Sequence, residues 1–353
     1  MIHVNGQLPV SNWPQPITPY DADALAFCRT WQSGQAEFVL HTSGSTGQPK
    51  PITLTRPQMQ ASARLTGQTL GLQPGDSALV CLNVRYIAGV MMLVRGLELG
   101  LQMTIIEPSG DPLADFPANT RFDFTALVPL QLQTILETAP EKLPILNGMK
   151  AILVGGAATS PAQERSLQVI TAPVYATYGM TETVSHIALR RLNGPAATEV
   201  FTSLEGVSIG TDERGCLHIT SAATNGERVQ TNDVVEMLDT SHFRLLGRAD
   251  AIINSGGVKV QPEAVERIVQ DVLAESGPVP RLFVAGLPDE RLGQRVVVFV
   301  EHHPLDAEQW AAVQARVRDR LGPYHVPKDA ITVDHFAETP TGKIDKRRIV
   351  NSY

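Results

Sequence analysis

Long apolar runs are absent from this chain. The best candidate, residues 87–99, is short and interrupted by Arg95 and Glu98, so no membrane-spanning helix is expected. The first ten residues lack the basic-then-apolar order of a secretory leader. Cysteine is scarce as well. Cys28, Cys81 and Cys216 are odd in number, widely spaced and form no C-x-x-C pair. They are expected to be small buried residues in a reducing cytoplasm, not a disulfide framework. An excess of positive charge is also missing: the net charge is −7, which argues against a nucleic-acid-binding surface. What is present is a 353-residue chain with 43% hydrophobic and 18% charged content. That composition describes a globular protein with a sizeable core, in two or three domains.

The most informative stretch runs from His41 to Lys50: Thr42, Ser43, Gly44, Ser45, Thr46, Gly47, Gln48 and Pro49, closed by the lysine. It follows the apolar run Phe38, Val39, Leu40. Glycines let backbone N–H groups approach a polyphosphate, and the hydroxyls and the lysine add donors and charge. It is not the P-loop of nucleoside triphosphatases. The second glycine of that motif would fall at Pro49, and Pro51 stands where Ser or Thr would bind magnesium. Nor is it the dinucleotide fingerprint, because Gly44 and Gly47 have no third glycine in register. By composition alone a flexible surface loop remains the competing reading.

Downstream, apolar strand-like runs at 77–82, 102–107, 122–127 and 149–154 alternate with helical patterns at 57–70, 87–99, 129–138 and 161–170. Prolines near the helix starts fit their N-terminal preference. Alternation of this kind predicts an α/β fold with a largely parallel sheet. Residues 1–36 read as an irregular lead-in with one short helix near 21–31. Beyond Gly194, short runs at 215–220, 233–238 and 242–246 predict a β-rich subdomain. Beyond Arg248, helices at 262–274 and 306–321 with strands at 281–286 and 295–301 predict a separate α+β unit. The expected domains are therefore 1–247, with the β-rich part at about 195–247, and 251–353, joined through 248–250.

Three groups of residues carry further chemistry. Tyr178, Gly179, Met180, Thr181, Glu182 and Thr183 follow a short apolar strand, at the sheet edge where α/β folds bind ligands. An aromatic ring can stack on a purine, Thr181 can donate to a phosphate, and Glu182 offers a hard oxygen for Mg²⁺. Upstream, Gly155, Gly156 and Ala157 end another strand, where glycines let a flat ring approach the backbone; a simple strand-end turn explains them equally. Asp233 can accept from both ribose hydroxyls. Lys343, on the Gly-containing stretch from Pro340 to Lys346, can serve as a movable point charge.

Taken together and in order, these motifs resemble those of the adenylate-forming superfamily: acyl-CoA synthetases, adenylation domains of peptide synthetases, and luciferases. The resemblance runs from about residue 37 to 348. It implies that the loop from Thr42 to Lys50 holds the departing phosphates of ATP. It likewise implies Tyr178 at adenine, Thr181 at the AMP phosphate, Glu182 at Mg²⁺, and Gly155, Gly156, Ala157, Gly179 and Met180 around the nucleotide, with Gly156 and Gly179 also facing the acid. Asp233 and Arg248 would contact the ribose or phosphate. The family pattern before the aspartate is usually Thr-Gly; here Asn232 replaces the glycine. Asp250 matches the residue about which the small domain swings. Gly256, Gly257 and Lys259 match the face that admits coenzyme A, and Lys343 matches the adenylation lysine. The expected chemistry is adenylation of a carboxylic acid by ATP, then transfer of the acyl group to a thiol.

The acid is approached through two features. Where family members carry an aromatic–His–small–Gly pattern, this chain has Arg85 and Tyr86. An arginine in the pocket predicts an acid with a second carboxylate; a surface arginine ahead of a helix is the equal alternative. The chain also lacks most of the α/β segment that precedes the phosphate loop in other members. In this it resembles compact bacterial o-succinylbenzoate–CoA ligases of menaquinone biosynthesis. Other readings are a ligase for another small acid, an enzyme loading a carrier-protein thiol, and a non-catalytic adenylate-binding remnant. A homodimer through the uncovered flank of the large domain is a further expectation.

Overall fold

The computed structural model describes residues 1–41, 50–339 and 344–353. In chain order the first part contains β1 (Ile2–Asn5), α1 (Pro19–Gln32), β2 (Glu37–His41), β3 (Pro51–Thr55), α2 (Arg56–Leu70), β4 (Ser77–Val80), α3 (Ile87–Glu98), β5 (Gln102–Ile105) and β6 (Phe124–Leu127). There follow α4 (Pro129–Thr138), α5 (Leu143–Asn147), β7 (Ala151–Val154), α6 (Pro161–Ser166), β8 (Val174–Gly179), β9 (His186–Arg191), β10 (Phe201–Ser203), β11 (Ser208–Thr211), β12 (Cys216–Thr220), β13 (Val229–Met237) and β14 (His242–Arg248). Helix starts follow local chemistry. Thr18, Thr55 and Ser160 accept a hydrogen bond from the third helical N–H, and each precedes a proline in the first two helical positions. Gly71 ends α2 with φ 65°, a left-handed cap that costs glycine nothing.

Twelve strands form one sheet in the order β1-β5-β4-β6-β7-β8-β9-β10-β14-β13-β12-β11. Five of them, β5-β4-β6-β7-β8, run parallel. The strands on both flanks are antiparallel. Two expectations are corrected here. The lead-in holds a strand: β1 pairs with β5 and buries Ile2 and Val4 in alternation. Four residues carry too few periods to separate such a strand from irregular chain. The helical pattern at 161–170 also stops at Ser166 and tightens into a 3₁₀ turn, Leu167–Val169. Helix α3 is buried on nearly every side, which is why its apolar residues show only a broad stripe. A Cβ on Gly96 would collide with the Met103 side chain, and one on Gly89 with the Asn83 carbonyl.

The second part contains β15 (Ile253–Ser255), β16 (Val258–Val260), α7 (Pro262–Ala274), β17 (Leu282–Asp289), β18 (Gly293–Glu301), α8 (Ala307–Leu321), β19 (Asp329–Val333) and α9 (Lys346–Val350). Its sheet runs β16-β15-β18-β17, with β19 parallel to β18. The period of two sorts the side chains of β17 and β18 between two apolar clusters. Leu282, Val284, Val296, Val298 and Val300 meet α7 and α8 residues, while Phe283, Val297 and Phe299 meet Phe336 and Ile349. The two parts touch where α7 packs against α6 and β14, with ion pairs Arg165–Asp271 at 3.6 Å and Arg267–Glu199 at 2.8 Å beside the contact. Among the described residues no helix is long and apolar enough to cross a membrane.

Candidate active site

The carboxyl end of β8 carries the densest set of expected site residues. Tyr178 is the penultimate residue of the strand. Its ring is buried edge-on against Phe201 and Phe243, with centroids 5.8 and 5.3 Å away. Its hydroxyl donates to Asp233 Oδ2 at 2.6 Å. Burial, then the adjacent Asp233 charge, raises the Tyr178 pKa, so the phenol stays a donor. β13 and β14 place Asp233 opposite Arg248 in register, and Arg248 Nη1 reaches Asp233 Oδ1 at 3.2 Å. The same guanidinium holds Asp250 through Nε at 2.8 Å and Nη2 at 2.7 Å. That bond raises the Arg248 pKa and lowers that of Asp250. Tyr178, Asp233 and the Arg248–Asp250 pair, distant from one another in sequence, thus form one continuous polar chain.

Gly179 packs so tightly that a Cβ would strike the Ser185 carbonyl. Beyond it Thr181–Thr183 form a 3₁₀ turn. Thr181 is buried, whereas Glu182 is exposed and makes no hydrogen bond or ion pair with any described residue. Thr183 Oγ1 ties the turn to the Met180 and Ser185 carbonyls at 3.0 and 2.9 Å. Val184 has φ 65° and ψ −53°, and the Ser185 N–H bonds the Thr183 carbonyl at 2.7 Å. This is a positive-φ γ-turn on a β-branched residue, a strained conformation that persists only where its surroundings enforce it. Gly155 lies against Thr177, Gly156 has φ 85°, and Gly156 and Ala157 are exposed.

Residues that sequence reasoning missed hold that turn from below. Arg95 of α3 is buried at 2% exposure. Its Nε donates to Thr66 Oγ1 at 3.2 Å, and its Nη2 donates to Ser185 Oγ at 2.5 Å and faces His186 Nδ1 at 3.5 Å. Among the described residues no carboxylate pairs with it. Burial lowers its pKa to about 10, which still leaves it charged at neutral pH. Burial and then the Arg95 charge push His186 well below its usual value, so the imidazole is neutral. Thr66 Oγ1 donates in turn to the Ser62 carbonyl at 3.0 Å. In the sequence Arg95 appeared only as an interruption of an apolar run. An arginine at a core-facing helical position was the available signal.

Arg85 sits just before α3, largely exposed. Its Nε and Nη2 both donate to Asp23 Oδ2, at 2.9 and 2.6 Å. Tyr86 is half-buried at the N-cap of α3. Gly256 and Gly257, with φ 59° and 82°, turn the β15–β16 hairpin, and Lys259 is exposed on β16. Lys50 is exposed beside β3. Thr42, Ser43, Gly44, Ser45, Thr46, Gly47 and Lys343 lie outside the described residues.

Two family models match the chain: "AMP-binding enzyme" over residues 10–209 and "AMP-binding enzyme C-terminal domain" over 269–343. A 2-succinylbenzoate–CoA ligase of Listeria monocytogenes serotype 4b is 25% identical over 353 residues, covering 94% of this chain and 73% of that protein. One from Bacillus cereus (strain ATCC 10987) is 27% identical, covering 89% and 70%. Among solved structures, an acyl-CoA synthetase (AMP-forming)/AMP-acid ligase II-like protein from Dyadobacter fermentans is 45% identical with TM-score 0.68, covering 100% of this chain and 99% of that one. The O-succinylbenzoate coenzyme A synthetase of Bacillus subtilis, solved with ATP and magnesium, shares the fold with TM-score 0.72 at 21% identity, covering 88% and 69%.

Proposed function

The chain belongs to the AMP-binding enzyme family, and on that premise we propose that it is an AMP-forming acid–CoA ligase whose acid is o-succinylbenzoate. The observation that carries the choice of acid is Arg95. A buried cation without a carboxylate partner costs several kcal/mol, and an anionic substrate group would offset that cost. A second carboxylate on the acid supplies one; a simple monocarboxylate consumes its only charge in the reaction. Of the two arginines at the ends of α3, Arg95 is the reader, because the charge of exposed Arg85 is already met by Asp23. Arg85 and Tyr86, at the start of the same helix, would stand at the edge of the acid site. The names of the similar ligases support the same acid.

In this reading the acid carboxylate attacks the α-phosphorus of ATP, the bond from that phosphorus to the bridging oxygen breaks, and pyrophosphate leaves. The thiol sulfur of coenzyme A then attacks the acyl carbon, and AMP departs with the electron pair of the cleaved C–O bond. Thr42 to Gly47 and Lys50 would enclose the leaving phosphates. Asp233 and Arg248 would hold the ribose and Tyr178 the base, while Thr181 would donate to the α-phosphate. Glu182 suits Mg²⁺, being an exposed carboxylate with no bond to any described residue. Bound there, the ion would offset charge on the phosphates. Lys343 would bridge the carboxylate and the α-phosphate.

The boundary we assign is 1–247 for ATP and acid binding, with 195–247 its β-rich portion, and 251–353 for the mobile part. Residues 248–250 form the hinge, with rotation centred on Asp250. The exposed ion pairs between the parts are worth little each, which suits a contact that must open. Rotation would withdraw Lys343 and bring Gly256, Gly257 and Lys259 to the site. The protein would work in the cytoplasm.

Pyrophosphate release measured with a panel of acids, with and without coenzyme A, tests the reading. Release with o-succinylbenzoate and thioester formation only with coenzyme A are expected. Turnover of another acid alone overturns the choice of substrate. Transfer only to a carrier protein overturns the acceptor. ATP binding with no release for any acid points to the non-catalytic remnant.

A further inference from the structure

The carboxyl ends of β18 and β19 bring together three metal-ligating side chains. We propose that Glu301, His302 and His335 form a binding site for a divalent d-block cation of the zinc class. Their ligand atoms all lie within 4.8 Å of one another. The rings of His302 and His335 stand at 88° with centroids 4.5 Å apart. Neither imidazole makes a hydrogen bond with any described residue, so its ring nitrogens are available.

The backbone builds this cluster. β18 and β19 are parallel with Glu301 opposite Val333, so the residues just past each strand emerge side by side. His302 has φ 65°, in the left-handed region that is uncommon outside glycine but that histidine, like asparagine, enters more readily than most side chains. Its N–H is pinned to the Val333 carbonyl at 2.9 Å. That turn carries the His302 ring toward His335 rather than along the strand. Glu301 is 7% exposed, and its carboxylate is oriented by two donors: the Phe336 N–H on Oε1 at 2.6 Å, and Arg281 on Oε2 at 3.2 Å. Such outer donors fix a metal-binding carboxylate, and a carboxylate has lone pairs enough for both a donor and an ion. Two imidazoles and one carboxylate suit zinc and its neighbours better than the all-oxygen preference of magnesium or calcium. His303, its ring 6.5 Å from that of His302, lies outside the cluster, so water would complete the coordination. Arg281 also holds Glu338 at 2.7 Å, and Glu338 bridges to Ile344. The site therefore adjoins the pair that brackets residues 340–343.

The test is titration of the full, untagged chain with Zn²⁺ and separately with Co²⁺, in saturating Mg²⁺. One equivalent should bind, and the cobalt form should show visible d–d absorption. His302→Asn, which keeps a residue tolerant of positive φ, and His335→Ala should each weaken binding at least about tenfold and abolish the absorption. Both side chains are exposed, so the metal-free melting temperature should not change. Absence of saturable binding, or binding that both variants retain, overturns the proposal. So does binding that is lost in Glu182→Gln instead, which would place the ion among the adenylation motifs.

Discussion

Arg248 bears on the 178–186 segment through Asp233 and Arg95 through Ser185 and His186, and the two differ in what holds them. Arg248 is part-exposed between two carboxylates, Asp233 and Asp250. Its charge is satisfied before any ligand arrives, and its neighbours Tyr178 and Asp233 present oriented oxygens. Arg95 is buried among Thr66, Ser185, His186 and the Met92 sulfur. Its hydrogen bonds are made but its charge is not matched. In the proposed reading the first arrangement orients neutral hydroxyls of a nucleoside. The second keeps a standing positive potential beside a strained turn, and that is a preference for an anion. The difference teaches that hydrogen-bond satisfaction and charge satisfaction are separate questions, and it is the unmet charge that the proposed reading assigns to substrate.

Predictions that break or sharpen this contrast run from large to small. Lys343→Ala should lower adenylation by about 10²–10³-fold, the scale of losing one preorganised charge donor. Thioester formation from preformed acyl-adenylate should be spared; equal loss in both half-reactions removes the lysine from its assigned step. Arg95→Met should cut kcat/KM for o-succinylbenzoate by about a hundredfold, since recognition through a buried polar group is lost. Selectivity over a monocarboxylic analogue should collapse with it. Loss of the bonds to Thr66 and Ser185 and relief of an unmatched buried charge oppose each other, so the melting temperature of the free protein should change far less than activity. A melting temperature that falls in step with activity would make Arg95 merely structural. Asp233→Asn should raise the KM for ATP by about tenfold, in line with loss of a charged hydrogen bond, without altering the choice of acid.

The pH dependence of stability sharpens the acid side further. His186 is held neutral with a depressed pKa, while the unfolded chain takes up its proton near the ordinary value of about 6.5. Its contribution to stability is therefore complete above that pH and is lost as pH falls below it. The slope should approach about 1.4 kcal/mol per unit. Denaturant midpoints at several pH values check this, and His186→Asn should flatten the curve between pH 6.5 and 5. The smallest effect belongs to Arg85→Gln, which removes an exposed, solvent-screened pair that contributes little. A loss of activity for o-succinylbenzoate larger than about threefold in that variant would move the reader from Arg95 back to Arg85.

Much of this was legible in the amino-acid order. Helices α4 and α7 begin and end where proline and periodicity place them, because capping and amphipathicity act over a few neighbouring residues. The motifs from Thr42 to Lys343 were enough to identify the family, since their order along the chain is itself the signal. Tertiary structure alone decided three things. It turned the lead-in into an edge strand, because the partner of β1 lies about a hundred residues away at β5. It separated Arg85, just before the apolar stretch, from Arg95 within it, by pairing the first with Asp23 and burying the second without a carboxylate among the described residues. It also joined Tyr178 to Asp233 and Arg248, and Glu301 and His302 to His335. Charge, period and local turns are written residue by residue, whereas burial and partnership are properties of what the folded chain brings alongside.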